Sequence, residues 1–93
     1  MIKEIKMIMS ESLITCRKME VIFEKLASKF PDIQFKIESI NNNNSAIRDL
    51  ERINSYVLPV FIKKDVYGIE ESIHTTNPKE LLNFINCTCK EGK

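Results

Sequence analysis

The sequence lacks the features that mark membrane and nucleic-acid-binding proteins. No apolar run approaches the roughly 20 residues that cross a bilayer. Positive and negative charges nearly cancel, with 14 Lys or Arg residues against 13 Asp or Glu residues, and neither sign is concentrated in one segment. A surface of mixed charge does not provide the basic field that nucleic acid requires. We therefore predict no membrane partner and no nucleic-acid partner.

Motifs that hold cofactors are also missing. The chain has only two glycines and no glycine-rich phosphate loop. It has a single histidine, His74, and no cluster of carboxylate, histidine and cysteine residues with the spacing of metal ligands. The sequence therefore predicts no cofactor and no resident metal.

Cysteine is present but in an unusual arrangement. The three cysteines, Cys16, Cys87 and Cys89, are an odd number and do not have the spacing of a disulfide framework. Such a pattern indicates free thiols in a reducing compartment. The apolar residues at the N-terminus are interrupted by two lysines and a glutamate, unlike those of a secretory signal. We expect a cytoplasmic protein.

Hydrophobic periodicity predicts one α/β domain with the order β-α-β-α-β-β-α. A period of two predicts strands near residues 2–9 and 33–38, and spacings of three and four from Cys16 to Phe30 predict the first helix. The first β-α-β unit should be parallel and the last two strands an antiparallel hairpin. The prediction is a mixed four-stranded sheet with helices on both faces.

The third strand is predicted from an apolar run. Residues 57–62 are apolar throughout, which is typical of a strand buried on both faces. Pro59 should lie near its start, because proline cannot donate a hydrogen bond to the ladder. Residues 63–65 are then expected to form a turn, and residues 66–73 to form the fourth strand.

These elements resemble the thioredoxin fold, and in detail the small thioredoxin- and glutaredoxin-like proteins. Members commonly have C-P-Y-C-R-K or C-G-P-C-K where the first helix begins, and this chain has L-I-T-C-R-K from Leu13 to Lys18. The run around Leu58 and Pro59 resembles the family segment whose proline is cis and lies against the active site. The resemblance covers residues 2–86, so we predict a thioredoxin-like domain at 1–86 and a Cys-x-Cys tail at 87–93.

The resemblance implies which residues form the site. It places Cys16 at the second cysteine position and Leu13 where the nucleophilic cysteine would be, with Thr15 and Arg17 in the motif and Leu58 and Pro59 in the substrate groove. In an alternative register, Cys16 is the nucleophile and Met19 replaces its partner. The implied partner is a protein or peptide thiol or disulfide. Glutathione has weaker support, because Ile73-His74-Thr75-Thr76 occupies the region where glutathione-binding glutaredoxins have a glycine pair.

Two interpretations of Cys16 remain open at this point. A helix N-terminus with Arg17 and Lys18 beside it would stabilise a thiolate, which predicts Cys16 as a catalytic residue in monothiol disulfide exchange. However, Cys16 also lies on the apolar stripe of the predicted helix, where a thiol would be buried and inert. The alternative function is a redox-inactive thioredoxin-fold module that binds its partner in the groove beside Pro59.

Two further groups have less support as functional residues. Cys87 and Cys89 could bind a soft metal, but two ligands are incomplete for zinc, and the last helix should carry them about 15 Å from the Cys16 end of the sheet. His74 could accept a proton near Cys16, because the fourth strand should finish at the end of the sheet where Cys16 lies.

Overall fold

The computed structural model describes residues 2–41, 44–55 and 57–86, and its element order confirms the predicted β-α-β-α-β-β-α. The elements are β1 (Ile2–Met9), α1 (Ile14–Ala27), β2 (Gln34–Ser39), α2 (Asn44–Arg52), β3 (Val60–Asp65), β4 (Glu70–His74) and α3 (Pro78–Asn86). Cys87, Cys89 and the rest of the predicted tail lie outside the described residues. Within the described ranges, no helix is both long enough and apolar enough to cross a membrane.

The four strands form one mixed sheet in the order β2-β1-β3-β4. β1 pairs with β2 in parallel and with β3 in antiparallel orientation, and β3 pairs with β4 as an antiparallel hairpin. β1 and β3 are therefore the central strands, and β2 and β4 are the edges.

Helices cover both faces of the sheet, as the sequence predicted. Alternate side chains of a strand point to opposite faces, so β1 and β3 each contribute to two clusters. One cluster joins the sheet to α1 and α3, and its buried members include Ile5, Met7, Phe61, Met19, Phe23 and Leu81. The other joins the sheet to α2 and contains Ile8, Ala46, Val60 and Ile62. α2 is also held by an ion pair, in which Lys6 Nζ of β1 donates to Asp49 Oδ2 at 2.8 Å.

The predicted bounds of the third strand were wrong. β3 begins at Val60 rather than at residue 57, and residues 63–65 continue the strand instead of forming a turn. The turn follows Asp65, whose Oδ1 accepts hydrogen bonds from the backbone N–H groups of Tyr67 and Ile69. Gly68 has a φ of +87°, a conformation that favours glycine, so the turn depends on this residue.

Lys63 explains why the strand extends through a charged segment. Its side chain is 1% exposed and lies between β3 and α3. The ammonium donates to the carbonyl oxygen of Phe84 at 2.7 Å, lies 3.2 Å from Glu71 Oε1 and is 4.4 Å from the centroid of the Phe84 ring. The last carbonyls of a helix have no partner within the helix, and a cation there is also stabilised by the negative end of the helix dipole. Lys63 thus binds the last turn of α3 to the sheet.

Replacing Lys63 with methionine tests this role. Met has a similar length but leaves the Phe84 carbonyl and the Glu71 carboxylate without their cation. We expect Lys63→Met to lower the free energy of unfolding by about 1–3 kcal/mol, measured by urea denaturation. Lys64→Met is the matched control, since the Lys64 side chain is 39% exposed, and we expect a change within about 0.5 kcal/mol. Equal stability of the two variants would contradict a structural role for Lys63.

Candidate binding surface and buried thiol

Three segments meet at one end of the sheet. Ile8, near the end of β1, pairs with Val60, the first residue of β3, and Val60 also pairs with His74 at the end of β4. The loop after β1, the segment before β3 and the segment after β4 therefore lie at the same end. α1 also begins there, at Ile14.

Cys16 lies beneath this end of the molecule. It is the third residue of α1, is 0% exposed and belongs to the core cluster that includes Met19 and Phe23. Burial raises the pKa of the Cys16 thiol, and a hydrogen bond with the backbone of Ser10 offsets only part of this effect. The thiol is therefore protonated at neutral pH and out of contact with solvent.

Leu13 occupies the N-cap of α1 without acting as a cap. Its backbone is extended, with φ −102° and ψ 124°, and its side chain makes no hydrogen bond to the helix. A Ser, Thr, Asp or Asn at this position is typically worth about 1 kcal/mol. The first turn has no acidic residue, and Arg17 and Lys18 are exposed nearby. Positive charge close to the N-terminus of a helix interacts unfavourably with the helix dipole. Helix stability does not account for these residue choices.

Exposed apolar side chains lie at the end of the sheet where α1 begins. Leu13 is 41% exposed and Ile14 is 70% exposed, and Val57, which precedes β3 at the same end, is 50% exposed. Leu58 is half-buried and packs against both core clusters. We define Leu13, Ile14, Val57 and Leu58 as the docking surface.

Pro59 is held in place by the edge strand. The Leu58–Pro59 peptide bond is cis, and Pro59 itself is buried. His74 Nδ1 lies 2.8 Å from the Pro59 carbonyl oxygen. Because a carbonyl oxygen can only accept, Nδ1 must carry the proton, and His74 donates this bond. His74 therefore fixes the segment that precedes β3.

The loop between β1 and α1 is fixed by side-chain amide and hydroxyl groups. Asn41 Oδ1 accepts hydrogen bonds from Ser39 Oγ at 3.0 Å, from the backbone N–H of Glu11 at 3.0 Å and from Ser10 Oγ at 3.4 Å. The hydroxyl oxygens of Ser10 and Ser12 are also 2.9 Å apart. This network ties the loop to the end of β2 and so sets where α1 begins.

The structure separates the predicted site residues into two groups. Leu13, Thr15 and Arg17 are exposed at the start of α1, and the segment of Leu58 and Pro59 lies at the same end of the sheet, whereas Cys16 is buried below. No group of three or more His, Cys, Asp or Glu side chains in the part of the chain that the structure describes could hold a metal ion.

Sequence reasoning missed Ile14 and Val57 as surface residues. A signal for Ile14 was present, since it does not share the spacing of three and four that connects Cys16, Met19 and Phe23. Val57 gave none, because its exposure depends on where β3 begins. Sequence reasoning gave His74 only weak support as a proton acceptor, and the contact that the structure shows is its bond to Pro59.

Comparisons with known proteins identify the fold. No protein-family model matches the sequence, and no curated protein matches it. Among solved structures, Fasciola hepatica thioredoxin has a TM-score of 0.77 at 17% identity, with 89% of this chain and 77% of that chain covered. Mitochondrial thioredoxin 3 from Saccharomyces cerevisiae has a TM-score of 0.74 at 18% identity, covering 89% and 76%. Thioredoxin from Trypanosoma brucei brucei has a TM-score of 0.74 at 20% identity, covering 89% and 71%. At these identities the likeness shows the fold alone, and the chain is a small α/β domain with the thioredoxin fold.

Proposed function

We propose that this protein is a binding module of thioredoxin fold that holds an extended segment of a protein partner on the docking surface, with Cys16 as a structural thiol. The observation that carries the proposal is the complete burial of Cys16 at the end of the sheet where Leu13, Ile14 and Val57 are exposed. At this end of the sheet, apolar side chains are therefore exposed to solvent and the thiol is buried.

The chemistry of disulfide exchange argues for binding over catalysis. The attacking species is a thiolate that must reach a sulfur atom of the partner. Cys16 has no exposed surface, and its pKa is raised by burial, so the folded state meets neither requirement. Leu13, at the position where the resemblance expects the nucleophile, has no reactive group. Monothiol exchange through Cys16 would require the start of α1 to move away from the sheet.

The composition of the docking surface indicates the kind of partner. Exposed apolar side chains that cluster at one site are typical of protein interaction surfaces. Leu13 occupies a position where a polar cap would stabilise α1, which favours a role in contact with a partner. Arg17 and Lys18 are exposed close by, so a partner segment with a carboxylate next to its apolar residues fits best. The backbone of Leu58 could pair with such a segment.

Peptide selection under reducing conditions tests the docking surface. Peptides selected from a random display library against the wild-type protein should be apolar with an acidic residue. We expect Leu13→Asp and Val57→Asp each to weaken their binding by about tenfold or more, because truncating a central apolar contact costs roughly 1.4 kcal/mol or more. Isothermal titration calorimetry provides the dissociation constants.

The controls separate loss of contact from loss of structure. Val66→Asp alters an equally exposed valine at the turn between β3 and β4, the opposite end of the sheet, and should leave binding unchanged. Leu13→Asp introduces an N-cap residue and should not lower thermal stability. Selected peptides that bind all three variants like the wild type would refute the proposed surface.

Restoring a second cysteine tests which residue occupies the first position of the motif. In a Cys87→Ser/Cys89→Ser background, we expect Leu13→Cys to form a disulfide with Cys16 on oxidation, detected by mass spectrometry, and to gain insulin-reductase activity. Leu13→Cys/Cys16→Ser should lack this activity. A folded Leu13→Cys variant that forms no disulfide would assign the motif to the other register, in which Met19 replaces the second cysteine.

A further inference from the structure

The edge strand β4 has backbone groups that face away from the sheet. Asp65 N–H donates to the carbonyl oxygen of Ile69 at 3.0 Å, so these residues form a hydrogen-bonded pair at the base of the hairpin. In an antiparallel ladder, bonded and non-bonded pairs alternate. The register then makes Glu71 and Ile73 the residues that bond to β3. Glu70, Ser72 and His74 direct their N–H and C=O groups outward.

A groove runs beside this edge, between β4 and α3. Its volume is about 660 Å³. Half-buried Glu71 and Ile73 of β4 contribute its floor, and Glu80, Asn83 and Phe84 of α3 form its wall. A strand added to β4 would therefore place alternate side chains in a preformed groove.

β4 lacks three of the devices that commonly protect an edge strand. Edges are commonly blocked by lysine, by proline or by a bulge. β4 has neither residue, and its register with β3 runs without a shift. Its two glutamates are engaged over the faces of the sheet, Glu71 with Lys63 at 3.2 Å and Glu70 with Lys64 at 3.6 Å. The other edge strand, β2, carries exposed Lys36.

We propose that β4 receives an extended segment of a partner protein, which joins the sheet as a fifth strand and carries a Lys or Arg two residues from an apolar residue. Side chains two residues apart on a strand share a face. In a strand added parallel to β4, a cation two residues before the apolar residue would lie opposite Glu71, with the apolar side chain opposite Ile73 on the face toward α3.

The charges of the groove favour a cation in the partner. Two carboxylates, those of Glu71 and Glu80, line the groove against one ammonium, that of Lys63, which lies 3.2 Å from Glu71 and leaves these three groups with a net negative charge. A second copy of this chain fits less well. Antiparallel pairing of two β4 strands centred on Ser72 would place each Glu71 against Ile73 of the other copy and supply no cation.

This surface lies along the side of the sheet and meets the end that carries the docking surface only at His74, which bonds the Pro59 carbonyl oxygen. The probe is the peptide acetyl-Thr-Lys-Thr-Val-Thr-amide, titrated into the ¹⁵N-labelled protein and followed by amide chemical shifts. We expect the largest shifts at residues 70–74 and 80–84. The matched peptide with Glu in place of Lys should bind about three- to fivefold more weakly, the effect of one cross-strand charge pair.

Substitutions at Ser72 test whether the backbone edge makes the contact. Ser72→Pro removes an outward N–H group but no ladder bond, so the fold should persist while binding is lost. Ser72→Thr keeps the N–H group and should bind like the wild type. If Ser72→Pro does not fold, the comparison of the two peptides still decides.

Three results would overturn the proposal. These are equal binding of the two peptides, shifts centred on residues 13–17 and 57–59, and no shifts at millimolar peptide. Concentration-dependent shifts at residues 70–74 without peptide would instead assign this edge to a second copy of the chain.

Discussion

The packing of α1 against the centre of the sheet determines what Cys16 can do. Cys16, Met19, Phe23 and Leu26 form the buried stripe of this helix. Phe23 anchors it, with its ring centroid 5.0 Å from that of Phe35 and 5.6 Å from that of Phe61. Because Cys16 is the first member of the stripe, a partner could reach its sulfur only if the start of α1 separated from β1 and β3. The same packing leaves Leu13 and Ile14 on the outside.

Local patterns in the sequence were sufficient for the order of elements but not for the bounds of β3. The alternation of apolar and polar residues in β1 and the apolar stripe of α1 are patterns that can be recognised within about ten consecutive residues. The burial of Lys63 is not a local signal of this kind, because its ammonium bonds a carbonyl oxygen 21 residues away in α3. Two adjacent lysines are typical of an exposed segment until that long-range acceptor is known. The error moved the predicted strand by three residues.

The candidate site was partly predictable for a related reason. The spacing from Cys16 to Met19 and Phe23 indicated a buried thiol, and the adjacent Arg17 and Lys18 indicated a reactive one. Sequence alone could not weigh the two, since the outcome depends on how closely α1 approaches the sheet. The exposure of Val57, the bond from His74 to Pro59 and the groove beside β4 all depend on tertiary contacts, and no local pattern contains them.

The most direct test is the rate of Cys16 alkylation by iodoacetamide in a Cys87→Ser/Cys89→Ser variant, measured from neutral to alkaline pH with and without denaturant. A structural thiol predicts labelling that is many times slower in the folded protein than in denaturant. Its rate should increase only above the free-cysteine pKa of about 8.5, because burial raises the pKa of Cys16. Rapid labelling of the folded protein at neutral pH, at a rate equal to or above that of the denatured chain, would contradict the account and make Cys16 a reactive thiolate.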